Sequence, residues 1–393
     1  MITGIIGFDF PARTRLVFGV NAIDRIGDCA RELGRSNALL VTDQGIVKAG
    51  HVQRATDSLK KSNIAVTLYD RVHENPTTDD VDACLAVAKA ANIDLIIGMG
   101  GGSSMDTAKG CNFLLTNGGA MKDYWGVGKA TKPMLPLIAV PTTAGTGSEC
   151  QSFALIADVK THAKMACGDP KAAPAISILD PTLTLTQPRH VTADTGIDAL
   201  AHALETAVTT KRNEFSIVYS REAFKLILAN LPRVLNDPND IEARGHMQLG
   251  AAFAGLAIES SMLGAAHSAA NPLTAHFNLI HGRAVGLMMP HVIRFNRADP
   301  GAARAYEDLA RAAHLADNGH GATAAIETLL HRVESLLNEA GIPRSARECG
   351  ADDAIVPQLA QEAAGQWTAN FNPRRIAADD FEALYRSALT ARA

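Results

Sequence analysis

Asp198 and His202 stand four positions apart in the run TGIDALAHALE. On a helix they would lie one above the other on a single face, where a carboxylate and an imidazole can share one metal ion. For this pair alone, a plain surface Asp–His contact is the commoner explanation. A second pair, His267 and His281, lies further along the chain. On one straight helix these two would be about 20 Å apart, too far to share an ion. Pro272 between them allows a bend or a break. Three histidines and one carboxylate suit a divalent transition metal with a position left open for substrate. Such an ion polarises a carbonyl or stabilises an alkoxide. His190, His246 and His291 have no partner at ligand spacing and read as structural or solvated, while His276 is ambiguous. HExxH, GxSxG and HxE…PCxxC are all absent, so metalloprotease, serine hydrolase and deaminase readings lose their motif support.

A different chemistry is signalled upstream. Residues Asp94–Gly98 (DLIIG) lead into MGGGSSMDTAK, ending at Lys109. Three successive glycines, Gly100, Gly101 and Gly102, remove every Cβ and let backbone approach a ligand closely. A helix is expected from about Ser103, and its free N–H groups and positive end would face the loop, which suits a phosphate. A tight strand-to-helix turn with no ligand is the competing explanation. Two features weigh against it. The loop PTTAGTGSE (Pro141–Glu149) also follows a strand-like run and offers hydroxyls at the same end of a parallel sheet. Asp43 directly follows the run Asn37–Thr42, where an acid can accept from a ribose 2′-hydroxyl and repel a 2′-phosphate. The order is unlike the usual dinucleotide fingerprint, because here the acid precedes the glycines. GxGxxG is incomplete, with Ser103 in its last position, and the Walker pattern is absent.

These residues need elements to hold them. Strands are expected at Asn37–Thr42, Ile64–Tyr69, Asp94–Gly98, Leu137–Val140 and Ala175–Leu179, and helices at Lys48–Lys61 and Asp79–Ala91. Alternation of that kind implies a parallel sheet covered on both faces. Asp180–Arg189, with Pro181 and Pro188, reads as a boundary, and beyond it apolar residues recur only at helical spacing. The expected fold is therefore an α/β domain over residues 1–185 and an all-α domain over 186–393, the second carrying the metal-ligating pairs.

Composition sets outer limits. The chain has 393 residues, 47% of them apolar and 20% charged, with a formal net charge of -4, so neither nucleic acid nor an anionic membrane is favoured electrostatically as a partner. The first residues, MITGIIGFDFPARTRLVFG, lack the basic start and long apolar stretch of a signal peptide, and no run is long and apolar enough to span a membrane. The six cysteines form no CxxC pair and read as reduced thiols, which makes a cytoplasmic protein the expectation.

Taken together, GGGSSMDTAK, PTTAGTGSE, TGIDALAHALE, the stretch from His267 through HGRAVGLMMP, and the late Asn372-Pro373-Arg374 resemble the iron-containing (group III) alcohol dehydrogenase family over nearly the whole chain. The resemblance implies a Rossmann-like, dehydroquinate synthase-like N-terminal domain and a helical C-terminal domain, with the active site in the cleft between them. It implies that Asp198, His202, His267 and His281 bind Fe²⁺, or alternatively Zn²⁺. It implies that Gly100, Gly101, Gly102 and Ser103, with Asp106 in the same run, hold the cofactor's pyrophosphate, that Thr142, Thr143 and Thr146 lie along it, and that Asp43 favours NAD over NADP. Homodimers or larger homo-oligomers are the family's habit.

One position departs from the family. Many alcohol-oxidising members have histidine four residues after the first of the late ligands, near substrate and nicotinamide, and here that residue is Asn271. Asparagine can hydrogen-bond a substrate oxygen but cannot shuttle a proton at neutral pH. The proton then leaves by water and the cofactor ribose, or His276 substitutes, or the substrate is not a simple alcohol. The expected activity is reversible hydride transfer between NAD(H) and a small primary alcohol or aldehyde, with Asn271, His276 and His281 nearest the chemistry. The alternatives are a metal-dependent lyase or cyclase of the dehydroquinate synthase-like type, using NAD transiently, and a non-catalytic cofactor-binding protein.

Overall fold

The computed structural model describes residues 8–9, 11–161, 163–317, 319 and 321–390. Eight of the nineteen N-terminal residues that lack the features of a signal peptide, residues 1–7 and 10, lie outside them. The chain divides into two compact units, Pro11–Gln187 and, with Phe8 and Asp9, the residues from Pro188 onward.

Nine strands are found among the described residues of the first unit: Arg15–Phe18 (β1), Asn37–Val41 (β2), Ala65–Tyr69 (β3), Leu95–Gly100 (β4), Gly126–Val127 (β5), Leu137–Pro141 (β6), Phe153–Ala157 (β7), Lys164–Gly168 (β8) and Ile176–Leu179 (β9). Six of them form one sheet in the order β1-β9-β6-β4-β2-β3, and every neighbouring pair in it is parallel. A parallel sheet is covered on both faces, so its strands are apolar at consecutive positions rather than alternate ones. All six residues of β4 are buried. Side chains still point alternately to the two faces. Leu40, Ile97 and Ile138 pack on one side with Ile23, Ile26 and Leu59. Leu39, Ile96 and Leu137 pack on the other with Met105 and Cys84. Register aligns the ends that matter: Val41 pairs with Gly98, and Gly100 with Pro141. The strand ends that lead into Asp43, the glycine run and the threonine loop therefore lie side by side.

The five expected strands are present to within a residue or two. Three features differ from expectation. The helix expected over Lys48–Lys61 is two, Gln44–Lys48 and His51–Lys61. They are separated at Gly50, whose φ of 82° is a left-handed conformation that glycine adopts without strain. Strand β1 was not foreseen. Nor was a second small sheet in the order β5-β8-β7, in which β7 and β8 are antiparallel.

The second unit is helical throughout its described residues. Helix Arg189–Thr206 starts directly after Pro188, at the end of the expected boundary segment. It packs against Glu214–Asn236, which in turn lies along Ile241–Ser261. Pro272 does not break its helix: Ala265–Phe277 runs through it and ends at Asn278, left-handed at φ 49°, before His281–Asn296 begins. The turn that the His267–His281 pair requires is thus at Asn278–Ile280. No single helix among the described residues is long and apolar enough to cross a membrane.

Candidate active site

In the first unit, helix Gly102–Asn117 begins where β4 ends. Its N-cap is Gly101, which has no side chain to cap the first turn. The helix end therefore presents its N–H groups and the positive end of its dipole to whatever occupies the loop. Gly100 has φ 146°, a conformation that L side chains rarely adopt, and a Cβ there would lie 2.4 Å from Ser104 Oγ. The two loops face each other closely. A Cβ on Gly102 would stand 2.8 Å from Thr146 Cγ2, and one on Gly101 would stand 3.5 Å from Thr143 Cγ2. Thr142 N donates to Gly100 O at 2.9 Å, which fastens the loops at their roots. Ser103, Thr143 and Thr146 remain partly exposed around this cradle, whereas Thr142 is buried.

Asp43 has two faces. Its Oδ1 caps helix Gln44–Lys48, accepting from Gly45 N at 2.8 Å and Ile46 N at 3.1 Å. Its Oδ2 points toward Gly100, 3.5 Å from where a Cβ would be. Asp106 is placed differently from the expectation. It is buried and accepts from Ser148 Oγ at 3.0 Å. Lys109, fully buried, donates to Ser148 O at 2.7 Å, Ser148 Oγ at 2.8 Å and Phe153 O at 2.9 Å. Asp106 therefore belongs to a network that pins the threonine loop to the glycine helix, and its carboxylate is turned into the protein. The physical reason is helical phase: position 106 faces the core side of Gly102–Asn117, where a charge must find partners.

In the second unit three imidazoles converge on one carboxylate oxygen. Asp198 Oδ1 is 3.5 Å from His202 Nε2, 3.4 Å from His267 Nε2 and 4.0 Å from His281 Nε2. Asp198, His267 and His281 form the tightest group, with ligand atoms within 4.8 Å of one another, and His202 reaches the same oxygen from the next turn of its own helix. The His202 and His267 rings stack with centroids 4.8 Å apart. Gly282 makes the approach of His281 possible. A Cβ there would lie 2.0 Å from Asp194 O, so only glycine lets the two helix backbones come this close. Arg283 Nε donates to Asp194 Oδ1 at 2.8 Å and fastens the same contact.

These residues fit a bound metal ion. Asp198 Oδ1 and His267 Nε2 are both buried and lack hydrogen-bond partners, although they sit 3.4 Å apart. Buried polar atoms left unmatched are costly, and a divalent cation satisfies both at once. Burial alone would push the Asp198 carboxyl up, but the charges of His202, His267 and His281 outweigh it and hold the group below the usual carboxylate range. Burial would likewise depress His267, but Glu205 and Asp198 push it up to about 9. The pocket is thus built for positive charge beside a carboxylate.

Glu205 had no role in the sequence reading, although it lies inside the run TGIDALAHALE. Its Oε2 accepts from His267 Nδ1 and its Oε1 accepts from Ala266 N at 2.6 Å. The signal was present, since Asp198, His202 and Glu205 recur at i, i+4 and i+7, one face of one helix. Asn372 acts nearby: its Oδ1 accepts from Asn296 Nδ2 at 3.0 Å and, more weakly, from Ala265 N at 3.4 Å.

Asn271 lies one turn after His267 on Ala265–Phe277, and its Nδ2 donates to Gln366 Oε1 at 2.9 Å. His276 is not brought to the cluster. It is exposed, and its Nε2 lies 2.9 Å from Glu362 Oε2, so its expected place as a proton carrier is corrected: it is a surface ion-pair partner.

Residues 13–181 match the family model described as iron-containing alcohol dehydrogenase, and residues 192–389 match that of the Fe-containing alcohol dehydrogenase family, C-terminal. The chain belongs to the iron-containing alcohol dehydrogenase family. Relatives include Alcohol dehydrogenase 4 of Schizosaccharomyces pombe, 35% identical over 95% of this chain and 87% of that one. The NAD-dependent methanol dehydrogenase of Bacillus methanolicus is 32% identical over 95% of this chain and 97% of that one. Among solved structures, a 1,3-propanediol oxidoreductase superimposes with a TM-score of 0.93 at 31% identity, covering 98% of this chain and all (100%) of that one. As an iron-containing alcohol dehydrogenase the chain is an oxidoreductase of the alcohol dehydrogenase and aldehyde reductase type, and the lyase or cyclase alternative is not favoured. Its α/β unit with a parallel sheet and its helical unit are the fold of this family.

Proposed function

We propose that this chain catalyses reversible hydride transfer between NAD(H) and a small primary alcohol or aldehyde, with Asp198, His202, His267 and His281 holding Fe²⁺ or Zn²⁺. The observation that carries the reading is the convergence of three Nε2 atoms within 4.0 Å of the buried, unmatched Asp198 Oδ1. When bound, the metal supplies Lewis-acid polarisation of the substrate oxygen. The same nitrogen and oxygen donors accept iron and zinc, so the ligand set favours neither.

The protein's own residues do the positioning. Gly100–Ser103 and the first turn of the following helix would hold the pyrophosphate, with Thr142, Thr143 and Thr146 along the opposite wall. Asp43 Oδ2, which faces Gly100, would accept from the adenosine ribose. Glu205 holds His267 with Nδ1 as donor, which leaves Nε2 as the ligating atom. Asn271 gives one Nδ2 hydrogen to Gln366, which fixes the amide and leaves its second Nδ2 hydrogen and its Oδ1 for a substrate oxygen. With His276 paired to Glu362, and asparagine unable to carry a proton at neutral pH, neither residue would take the alcohol proton, which water would have to accept.

The reading is tested by stripping the protein with chelator, reloading it anaerobically with Fe²⁺ and following NADH oxidation by short aldehydes. Turnover that returns only on reloading is the expected result. Bound metal and bound NADH with no turnover across the aldehyde panel would overturn it.

Cofactor choice has its own test. Asp43→Gly would also remove a helix cap, so Asp43→Asn is the cleaner change, because asparagine caps well and carries no charge. The NADH-to-NADPH preference in kcat/KM should fall at least about tenfold, the scale of one charged hydrogen bond. An unchanged ratio would remove Asp43 from the ribose.

Assembly as a homodimer or larger homo-oligomer, and a cytoplasmic location, belong to the same proposal. The second is supported by six free cysteines, five of them buried.

A further inference from the structure

The helical unit contains a concave site whose lining includes none of the residues of the metal-ligating cluster. It is a cavity of about 670 Å³ between helices Glu214–Asn236 and Pro300–Ala312, reached also by Ala207 and Arg212 from the segment that joins Arg189–Thr206 to the first of them. That volume is in the usual range for small-molecule sites. Four arginines line it: Arg212, Arg221, Arg304 and Arg311. The only acidic lining residue is Asp308.

The charges are unevenly matched. Arg311 is paired with Glu307 at 2.6 Å. Arg212 Nη1 donates to the carbonyls of Val208 at 3.0 Å and Thr209 at 3.3 Å, which fixes the guanidinium without neutralising it. Among the described residues no carboxylate lies within ion-pair distance of Arg212, Arg221 or Arg304. Three arginines without an ion-pair partner on one concavity, against the single carboxylate of Asp308, give that wall an excess of positive charge that attracts an anion.

The wall includes one more anion-seeking group. Gly301 stands in the first turn of Pro300–Ala312, a thirteen-residue helix. The cap residue Asp299 takes Ala302 N through Oδ1 at 2.8 Å and Ala303 N through its carbonyl at 2.9 Å, and no hydrogen bond from Gly301 N–H is found among the described residues. A Cβ at 301 would lie 2.9 Å from Arg212 Nη2 and 3.1 Å from Asp299 Oδ1, so glycine lets that guanidinium lie beside the capped helix end. A helix N-terminus with forked guanidinium donors beside it is phosphate chemistry. Ile217, Ala305, Leu309 and Ala312 supply the apolar remainder of the wall.

We propose that this cavity binds a small organic phosphate monoester, its phosphate held by Arg212, Arg221, Arg304 and Gly301 N–H and its organic body against the apolar wall. The dinucleotide cradle falls wholly in residues 11–187, so this is a separate phosphate site. It abuts Ala207, two residues beyond the Glu205 that orients His267.

The test is isothermal titration of the metal-loaded protein with phenyl phosphate at physiological ionic strength, in saturating NAD⁺ so that the nucleotide cradle is filled. Phenol and inorganic phosphate serve as the two half-ligands. Saturable binding of about one phenyl phosphate per chain is expected, with each half-ligand at least tenfold weaker. The double variant R221A/R304A should weaken it at least tenfold with KM for NADH unchanged, and R221K/R304K should fall between, because lysine keeps charge without the fork. Both residues are exposed, so neither change threatens folding. No saturable binding, equal affinity in R221A/R304A, or inorganic phosphate binding as tightly as the ester would each overturn the proposal. So would a change of oligomeric state in R221A/R304A with no effect of phosphate, which would assign the charged wall to contact between copies of the chain.

Discussion

Asp198→Ala should lose the bound metal and at least about a thousandfold in turnover, while NADH still binds. The argument is geometric. Asp198 Oδ1 is the one atom toward which all three imidazole nitrogens point, at 3.4 to 4.0 Å. It is also the only anionic donor in the set of four, so without it a divalent cation would face three neutral nitrogens in a buried pocket. The desolvation cost of the ion would then have no formal charge to offset it. Nucleotide binding should survive because every residue of the glycine and threonine cradle lies in Pro11–Gln187, a unit with its own core. Metal content per chain, kcat and NADH fluorescence are the three readouts, with a thermal melt as the folding control. Full turnover in a variant that holds no metal would remove Asp198, and the cluster with it, from the chemistry.

What could be read from the sequence follows from how local each determinant is. The five main strands were legible because strands buried on both faces are short continuous apolar runs, and NALLVT, LIAV and DLIIG have little else they could be. The cradle was legible because glycine, threonine and an acid at successive strand ends carry their chemistry in their residue types. Strand β1 was missed because RLVF is four residues long, with two of them exposed, and owes its place to pairing with distant Ile176–Leu179. Asp106 was misplaced because a motif gives the spacing of residues but not which of them faces inward. Its partners Ser148 and Lys109 were both visible, but the hydrogen bond to Ser148 spans 42 positions. The break at Asn278 rather than Pro272 shows a competition between local rules. Proline costs one helix hydrogen bond and is tolerated within a buried helix, whereas asparagine in a left-handed conformation ends the helix by turning the chain. His276 failed for a related reason, since its phase on Ala265–Phe277 puts it beside Glu362, on an exposed stretch of the helix.

Glu205→Gln should weaken metal binding about 10- to 100-fold, as loss of a ligand-orienting carboxylate generally does. Glu205 accepts twice, from the backbone of Ala266 and from His267 Nδ1, with one carboxylate oxygen for each. Glutamine has nearly the same shape but only one acceptor oxygen, so one of those two donors must face an NH₂ group. If the backbone keeps the oxygen, His267 loses the partner that holds its proton on Nδ1. The tautomer with the proton on Nε2 then competes, and that nitrogen can no longer ligate. The expected loss corresponds to about 1.4–2.7 kcal/mol of metal affinity. It should be read as a shift in the metal dissociation constant by chelator competition, with kcat at saturating metal falling less than in Asp198→Ala, because all four ligands remain. That split separates the two roles: removing a ligand abolishes the centre, whereas removing the residue behind a ligand weakens it and more metal restores it. A histidine-edited NMR spectrum of the diamagnetic zinc form should show His267 proton-bearing at Nδ1 in the parent and losing that signal in Glu205→Gln. If the dissociation constant and the tautomer are both unchanged, then the carboxylate that touches His267 does not orient it, and the start of Ala265–Phe277 is held by Asn372 and helix packing alone.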